Sequence, residues 1–222
     1  MVAEGYRARV APYIARVSRP FLGWDPNRIS VLALALAAVA AILAAAVRWT
    51  TPYLFFPVAV LIFLSGMFDV IDGEVARKTG RASARGDFLD HVFDRYADVF
   101  LLIGFGISGY ASPVLALLAL VSLLLTSYMG TQAQAVGVGR EYSGILSRAD
   151  RLLLLALVAL LEFLFVLPWP WAPDAPWATF ALGGYTFTVI DLVLVYFIVA
   201  GQATAILRAR SVYARIPAEG AR

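Results

Sequence analysis

The chain has 222 residues, of which 61% are hydrophobic and only 15% charged, and its mean hydropathy is +0.80. A soluble domain carries about 25% charged residues, so too little polar side chain is present to cover a water-facing surface, and the excess apolar surface requires lipid. Eighteen Lys and Arg against fifteen Asp and Glu give a net charge of +3, while zero Cys and a single His, His91, remove disulfides and thiolate metal sites and argue against His-rich zinc sites and a Ser-His-Asp triad.

The first stretch, Ala3–Pro20, interleaves Tyr6, Val10, Ile14 and Val17 with Arg7, Arg9, Arg16 and Arg19. It has no continuous apolar run and no small-residue cleavage site, so it is read as an amphipathic helix lying in the membrane interface rather than as a signal peptide. Asp25-Pro26-Asn27 then supplies a helix start. Six stretches approach the roughly 20 apolar residues needed to cross the hydrocarbon core: Ile29–Val47, Pro52–Ile71, Phe88–Ile107, Pro113–Val136, Leu152–Leu167 and Tyr185–Leu207. The third is the least apolar, and the fifth is short and contains Glu162. The predicted fold class is an all-α integral membrane protein with six transmembrane helices after an N-terminal interfacial helix. Its units are an interfacial segment over 1–28, a membrane domain over 29–210 and a tail over 211–222.

The basic residues set the orientation. Of eighteen Lys and Arg, seventeen fall before span one, around the connections between spans two and three and between four and five, or after span six; only Arg48 falls on the other side. This positive-inside bias predicts a multi-pass protein of the cell membrane with both termini and the active site cytoplasmic. It also assigns the basic charge to membrane topology and not to nucleic acid. The opposite face has a Pro/Trp-rich turn, Pro168–Trp177, suited to the headgroup belt.

Charged residues inside membrane spans are costly and mark functional sites. Asp69 and Asp72 close span two and Asp90 and Asp94 open span three, spaced i,i+3 and i,i+4, so each pair shares a helix face. A short connection makes the two helices antiparallel neighbours, and four carboxylates converge at one depth. Their mutual repulsion is relieved by hard divalent cations, and an oxygen-only donor set selects Mg²⁺, Mn²⁺ or Ca²⁺. Between the pairs lie Gly73, Arg77, Lys78, Gly80, Arg81, Ser83, Arg85 and Gly86, a loop in which glycines permit close backbone approach and arginines grip pyrophosphate. The plain structural alternative is topology for the basic residues and pairing with Arg77 or Arg95 for the acids.

Written out, the region reads Asp69-x2-Asp72-Gly73-x2-Ala76-Arg77-x8-Gly86-x3-Asp90-x3-Asp94. It resembles the full signature of the CDP-alcohol phosphotransferase family at eight fixed positions, and the six-span layout extends the likeness over most of the chain. The resemblance implies transfer of a phosphate-linked lipid group from a CDP-lipid to a second alcohol with release of CMP. Carried over, Asp69, Asp72, Asp90 and Asp94 are metal ligands for Mg²⁺ or Mn²⁺, two ions per subunit, and Asp94 is also the general base. Asp69, Gly73, Arg77, Gly80, Ser83 and Gly86 line the CDP site. A homodimer is implied by the same resemblance.

The acceptor is read from Tyr128–Arg151, which holds Arg140, Arg148 and Arg151; Arg208 and Arg210 reach the same surface from the end of span six. Several arginines around a cavity suit an acceptor that itself carries phosphate, although topology alone also predicts basic loops. Arg140, Arg148, Arg151 and Arg208 are therefore the candidate acceptor-phosphate residues. The segment is similar to that of inositol-phosphate-accepting family members, above all those that join an archaetidyl group from CDP-archaeol to myo-inositol 1-phosphate. CDP-diacylglycerol as donor, with inositol 1-phosphate or glycerol 3-phosphate as acceptor, is the alternative.

Asp98 extends the Asp90/Asp94 stripe and reads as a buried acid satisfied by Arg95 or a neighbouring helix, with support of the metal site as the other reading. His91, one residue off that stripe, reads as a spectator. Asn27 and Ser30 either reach the pyrophosphate from span one or cap a helix. Glu162 and Asp191 have no basic neighbour in sequence. Two competing functions use the same residues: a cation transporter, disfavoured because arginines beside a cation path repel the ion, and a catalytically inert scaffold, disfavoured by intact acids at all four positions.

Overall fold

The computed structural model describes residues 11–139, 141, 144–167 and 179–216. Residues 11–17 are helical (α1) and lead through a 3-10 turn, Arg19–Phe21, to α2 (Pro26–Ala46). There follow α3 (Phe55–Lys78), α4 (Ala84–Ile107), α5 (Pro113–Ala135) and α6 (Arg148–Phe165). A hairpin of β1 (Thr179–Leu182) and β2 (Tyr185–Thr188) then precedes α7 (Val189–Arg215). Each long helix except α3 starts on a short polar cap. Asp25 accepts the Asn27 N–H at 2.9 Å, Ser83 and Ser112 cap α4 and α5, and Ser147 and Thr188 form reciprocal capping boxes with Asp150 and Asp191.

Among the described residues, four helical stretches are long and apolar enough to cross a membrane: Pro26–Trp49, Pro52–Lys78, Pro113–Ala135 and Val189–Arg215. The other two expected spans are helices of the same bundle. Helix α4 carries acids through its first half, and α6 has only 18 residues, with Arg148, Asp150, Arg151 and Glu162 among them. Of the expected interfacial helix, residues 1–10 lie outside the described residues, as do Arg140, the turn Pro168–Trp177 and the last six residues of the tail.

Helices α2 and α3, α2 and α4, and α5 and α7 are the closest neighbours. Small side chains let them approach, as in membrane bundles generally. Ala37, Ala40 and Ala44 of α2 are fully buried, and a Cβ built on Gly104 of α4 would lie 2.5 Å from the Ala41 carbonyl oxygen. Phe55, Phe105 and Phe197 fill the wider parts of the core.

Three boundaries differ from the sequence reading. Helix α3 continues past Asp72 to Lys78, so Gly73, Arg77 and Lys78 stand on a helix and the connection shrinks to five residues, 79–83. Gly80, at φ +67°, ends α3, and the Arg81 N–H returns to the Ala76 carbonyl at 3.0 Å. The last span begins at Val189 instead of Tyr185, because Gly183 and Gly184, at φ +59° and +82°, turn the chain and hold Tyr185–Thr188 in the hairpin. Helix α7 also runs on to Arg215, past the expected end of the last span at Leu207. The same region accounts for Asp191: it caps α7 and accepts the Ser112 N–H at 2.7 Å, tying the first turns of α5 and α7 together. Glu162 is fully buried beside that turn.

Candidate active site

The short 79–83 connection sets the C-terminal end of α3 against the N-terminal end of α4, and this brings the acids together. One carboxylate oxygen from each of Asp69, Asp72 and Asp90 lies within 4.8 Å of the others, and ligand atoms of Asp90, His91 and Asp94 form a second group within the same limit. Asp90 belongs to both. Asp72 and Asp94 are buried, whereas Asp69 and Asp90 are half-buried and open to a ligand. His91, expected as a spectator, thus stands within reach of the acids, with Nε2 3.2 Å from Asp87.

Helix α2 adds a residue to this cluster. The Ser30 hydroxyl donates to Asp72 Oδ2 at 2.5 Å, fixing the orientation of that carboxylate from across the bundle. Asp25 is the cap of α2, so Asn27 is free of that duty; its side chain, like Ser30, lines a polar cavity of about 210 Å³. Asp72, Asp90, Gly73, Arg77, Ser83 and Gly86 line the same cavity. A Cβ on Gly73 would crowd Arg77 Nη1 at 3.3 Å, whereas one on Gly86 would meet Ser83 Oγ at 3.4 Å and Asn27 Oδ1 at 3.6 Å, ordinary contact distances. Ser83 also works locally, its Oγ accepting the Gly86 N–H at 3.1 Å. Gly80 has open space around it and serves the turn through its backbone conformation. Arg81, not assigned a specific role from sequence, donates to the Trp24 carbonyl at 3.2 Å and holds the segment before α2 beside the cavity.

On the other side of the acids runs an apolar groove of about 420 Å³. Tyr13, Ile14 and Val17 of α1 form one wall, Phe63 and Met67 of α3 and Leu153 of α6 contribute the rest, and Asp69 and Arg148 also line it. The Asp69 side chain therefore belongs to the groove, while its neighbour Asp72 belongs to the polar cavity.

The arginines are distributed unequally. Arg148, the first residue of α6, pairs with Asp69 and lies 2.8 Å from Asp94 Oδ1. It brings one positive charge to four carboxylates, and the remaining negative charge together with the oxygen donor set fits a hard divalent cation. Arg151 sits one turn deeper and is buried against Asp98 at 2.8 Å. Arg95 bridges Asp98 at 3.2 Å and Asp94 at 3.6 Å. Asp98 is thus satisfied by both of the partners anticipated for it, its own helix's Arg95 and a residue of a neighbouring helix. Arg208 donates to the Thr126 carbonyl at 2.7 Å and packs over Gly130, where a Cβ would come within 3.2 Å of its Nη1. Arg77 stays at the surface, paired with Glu74 at 3.1 Å, so the acids are not neutralised by it.

Known proteins resemble this chain in sequence and in fold. The profile of the CDP-alcohol phosphatidyltransferase family matches residues 24–206. The archaetidylinositol phosphate synthase of Methanothermobacter thermautotrophicus is 38% identical over 133 residues, 60% of this chain and 66% of that protein. That of Aeropyrum pernix is 36% identical over 159 residues, 70% of this chain and 76% of that protein. The phosphatidylinositol phosphate synthase of Mycobacteroides abscessus is 29% identical over 154 residues, 67% of each chain. Among solved structures, the phosphatidylinositol phosphate synthase of Mycobacterium tuberculosis with CDP-DAG bound superposes with a TM-score of 0.68 at 22% identity, covering 90% of this chain and 93% of that one. The same enzyme in complex with manganese and citrate gives the same TM-score. With the signature acids gathered on one helical hairpin and the profile match spanning most of the sequence, the chain belongs to the CDP-alcohol phosphatidyltransferase family of phosphotransferase enzymes.

Proposed function

We propose that the protein is a six-span membrane enzyme that transfers an archaetidyl group from CDP-archaeol to myo-inositol 1-phosphate, giving archaetidylinositol phosphate and CMP. The observation that carries this reading is the placement of Asp69, Asp72, Asp90 and Asp94 between a polar cavity and an apolar groove, with Arg148 over them. A CDP-lipid has the same polarity profile: nucleotide on one side, pyrophosphate in the middle, hydrocarbon on the other. The nucleotide suits the cavity lined by Gly73 and Gly86, with Arg77 and Asn27 at its edge. One lipid chain suits the groove beside α1, an interfacial helix in this reading.

The four aspartates would hold Mg²⁺ or Mn²⁺, two ions per subunit, which when bound offset the charge of the pyrophosphate and of departing CMP. The chain's own residues do the rest. Asp94 takes the proton from the acceptor hydroxyl as its oxygen attacks the β-phosphorus; the bond from that phosphorus to the bridging oxygen breaks, and the electron pair leaves with CMP. Asp72 is held for its part by Ser30. Arg148 exchanges its carboxylate partners for the acceptor's phosphate, which brings the acceptor to Asp94 and releases that carboxylate to act as base. Arg148 is suited to this by a buried Nε without a hydrogen-bond partner, and Arg151 stands one turn below it in the acceptor set. Arg140 and Arg208 complete the acceptor set. The site faces the cytoplasm, where the basic connections lie, and the enzyme works as a homodimer.

The kinship with phosphatidylinositol phosphate synthases supports a second donor, CDP-diacylglycerol, with the same acceptor. A CMP-release assay on purified protein with Mg²⁺ separates these readings by crossing both CDP-lipids with inositol 1-phosphate, glycerol 3-phosphate, serine and free inositol. CMP release only with inositol 1-phosphate, and faster from CDP-archaeol, is the expected result. Release with serine or glycerol 3-phosphate overturns the acceptor assignment, and no release from either CDP-lipid overturns the function.

A further inference from the structure

Below the reacting acids lies a second tier of charge that the signature does not include. Asp94 and Asp98 are one turn apart on α4, and Arg148 and Arg151 are one turn apart on α6, so the two helices are joined by two rungs. The upper rung, Arg148 to Asp94, is part of the site. The lower rung is sealed: Asp98 is 3% exposed and Arg151 4%. One oxygen of Asp98, Oδ2, takes both Arg151 Nη2 at 2.8 Å and Arg95 Nη1 at 3.2 Å.

Helix α6 packs against α3 and α7, and its connection to α4 is made by these long side chains. Arg95 stands 3.2 Å from Asp98 and 3.6 Å from Asp94, so the Asp98 charge also draws that guanidinium away from the base. The geometry points to Asp98 as a positioning residue: it holds Arg151 and Arg95 below the reacting acids, fixes the start of α6, and so aims Arg148 at the acceptor's phosphate. This rests on the acceptor reading above. Asp98 lies in neither carboxylate group within ligand distance among the described residues, so its role is distinct from metal binding.

The test compares Asp98→Asn, Asp98→Glu and Arg151→Met in the purified enzyme with inositol 1-phosphate. Asp98→Asn is expected to raise the acceptor KM about tenfold while the CDP-lipid KM stays within about twofold. Asp98→Glu, which keeps the charge, is expected to stay within about threefold of wild type. Joined with Arg151→Met, Asp98→Asn should add nothing, because both act through one contact. An equal rise in both KM values, multiplying effects, or a Glu variant as impaired as Asn overturns the proposal. A readout independent of turnover uses spin labels on Tyr96→Cys and Leu153→Cys, exposed positions on α4 and α6 in a chain without native cysteine. Asp98→Asn should broaden their distance distribution, and an unchanged distribution overturns the proposal. If wild type turns over no CDP-lipid, the proposed function fails while the distance measurement still decides the role of Asp98.

Discussion

Asp94 and Arg148 hold each other in the structure, and the proposed chemistry requires them to part. A carboxylate bound to a guanidinium is a weak base, so catalysis needs Arg148 drawn off by a stronger or better-placed anion. Asp94→Asn is expected to abolish CMP release while CDP-lipid binding remains measurable; turnover above a few per cent of wild type would remove Asp94 as base. Arg148→Ala is expected to raise the acceptor KM by at least tenfold, well beyond any change for the CDP-lipid, as steady-state kinetics with each substrate varied would show. The acids were legible in the sequence because i,i+3 and i,i+4 spacing on adjacent helices leaves little freedom in where they meet. The Ser30 hydrogen bond to Asp72 was not, since it joins residues 42 apart through a helix contact that no local pattern encodes. For the same reason i,i+3 spacing placed Arg148 and Arg151 on one face but could not tell which one meets the reacting acids.

At the scale of elements, glycine sets the spacing. Gly104 lets α4 approach α2 so closely that any side chain meets the Ala41 backbone, at 2.5 Å from its carbonyl oxygen and 2.8 Å from its Cα. Because backbone yields less readily than a side chain, Gly104→Ala should act as an overpacking substitution worth about 1–3 kcal/mol. A lower Tm in detergent, with the acceptor and donor KM values little changed, is the expected outcome. The long apolar helices were recoverable from hydropathy alone. The ends of α3 and α7 were not: charge at Asp69, Asp72 and Arg77 interrupts the apolar run although helical hydrogen bonding continues through it. Before α7, the paired glycines divert Tyr185–Thr188, which adjoins the apolar run, into a hairpin. Apolarity identifies what lipid accepts, while backbone geometry decides where a helix stops.

For the whole molecule, the placement of charge predicts a direction. The connection between α5 and α6, the α3–α4 turn and the end of α7 lie on the basic side, and the β1–β2 hairpin lies on the other. With no native cysteine, Val136→Cys and Tyr185→Cys, both exposed, report the two faces without background. In intact cells a membrane-impermeant thiol reagent is expected to label Tyr185→Cys and spare Val136→Cys. The reverse pattern would invert the orientation and move the site to the outer face. Among the described residues, four of the expected six spans meet the length and apolarity needed to cross a membrane; the charged side chains of α4 and α6 dilute the same signal in the other two. Building the acids on a hairpin with a five-residue turn, and the arginine on a later helix, also orders events at the ribosome. Translation adds about 5–20 residues each second, and 54 positions separate Asp94 from Arg148. For several seconds of its synthesis, the nascent chain carries all four carboxylates before the arginine that will sit among them has been made.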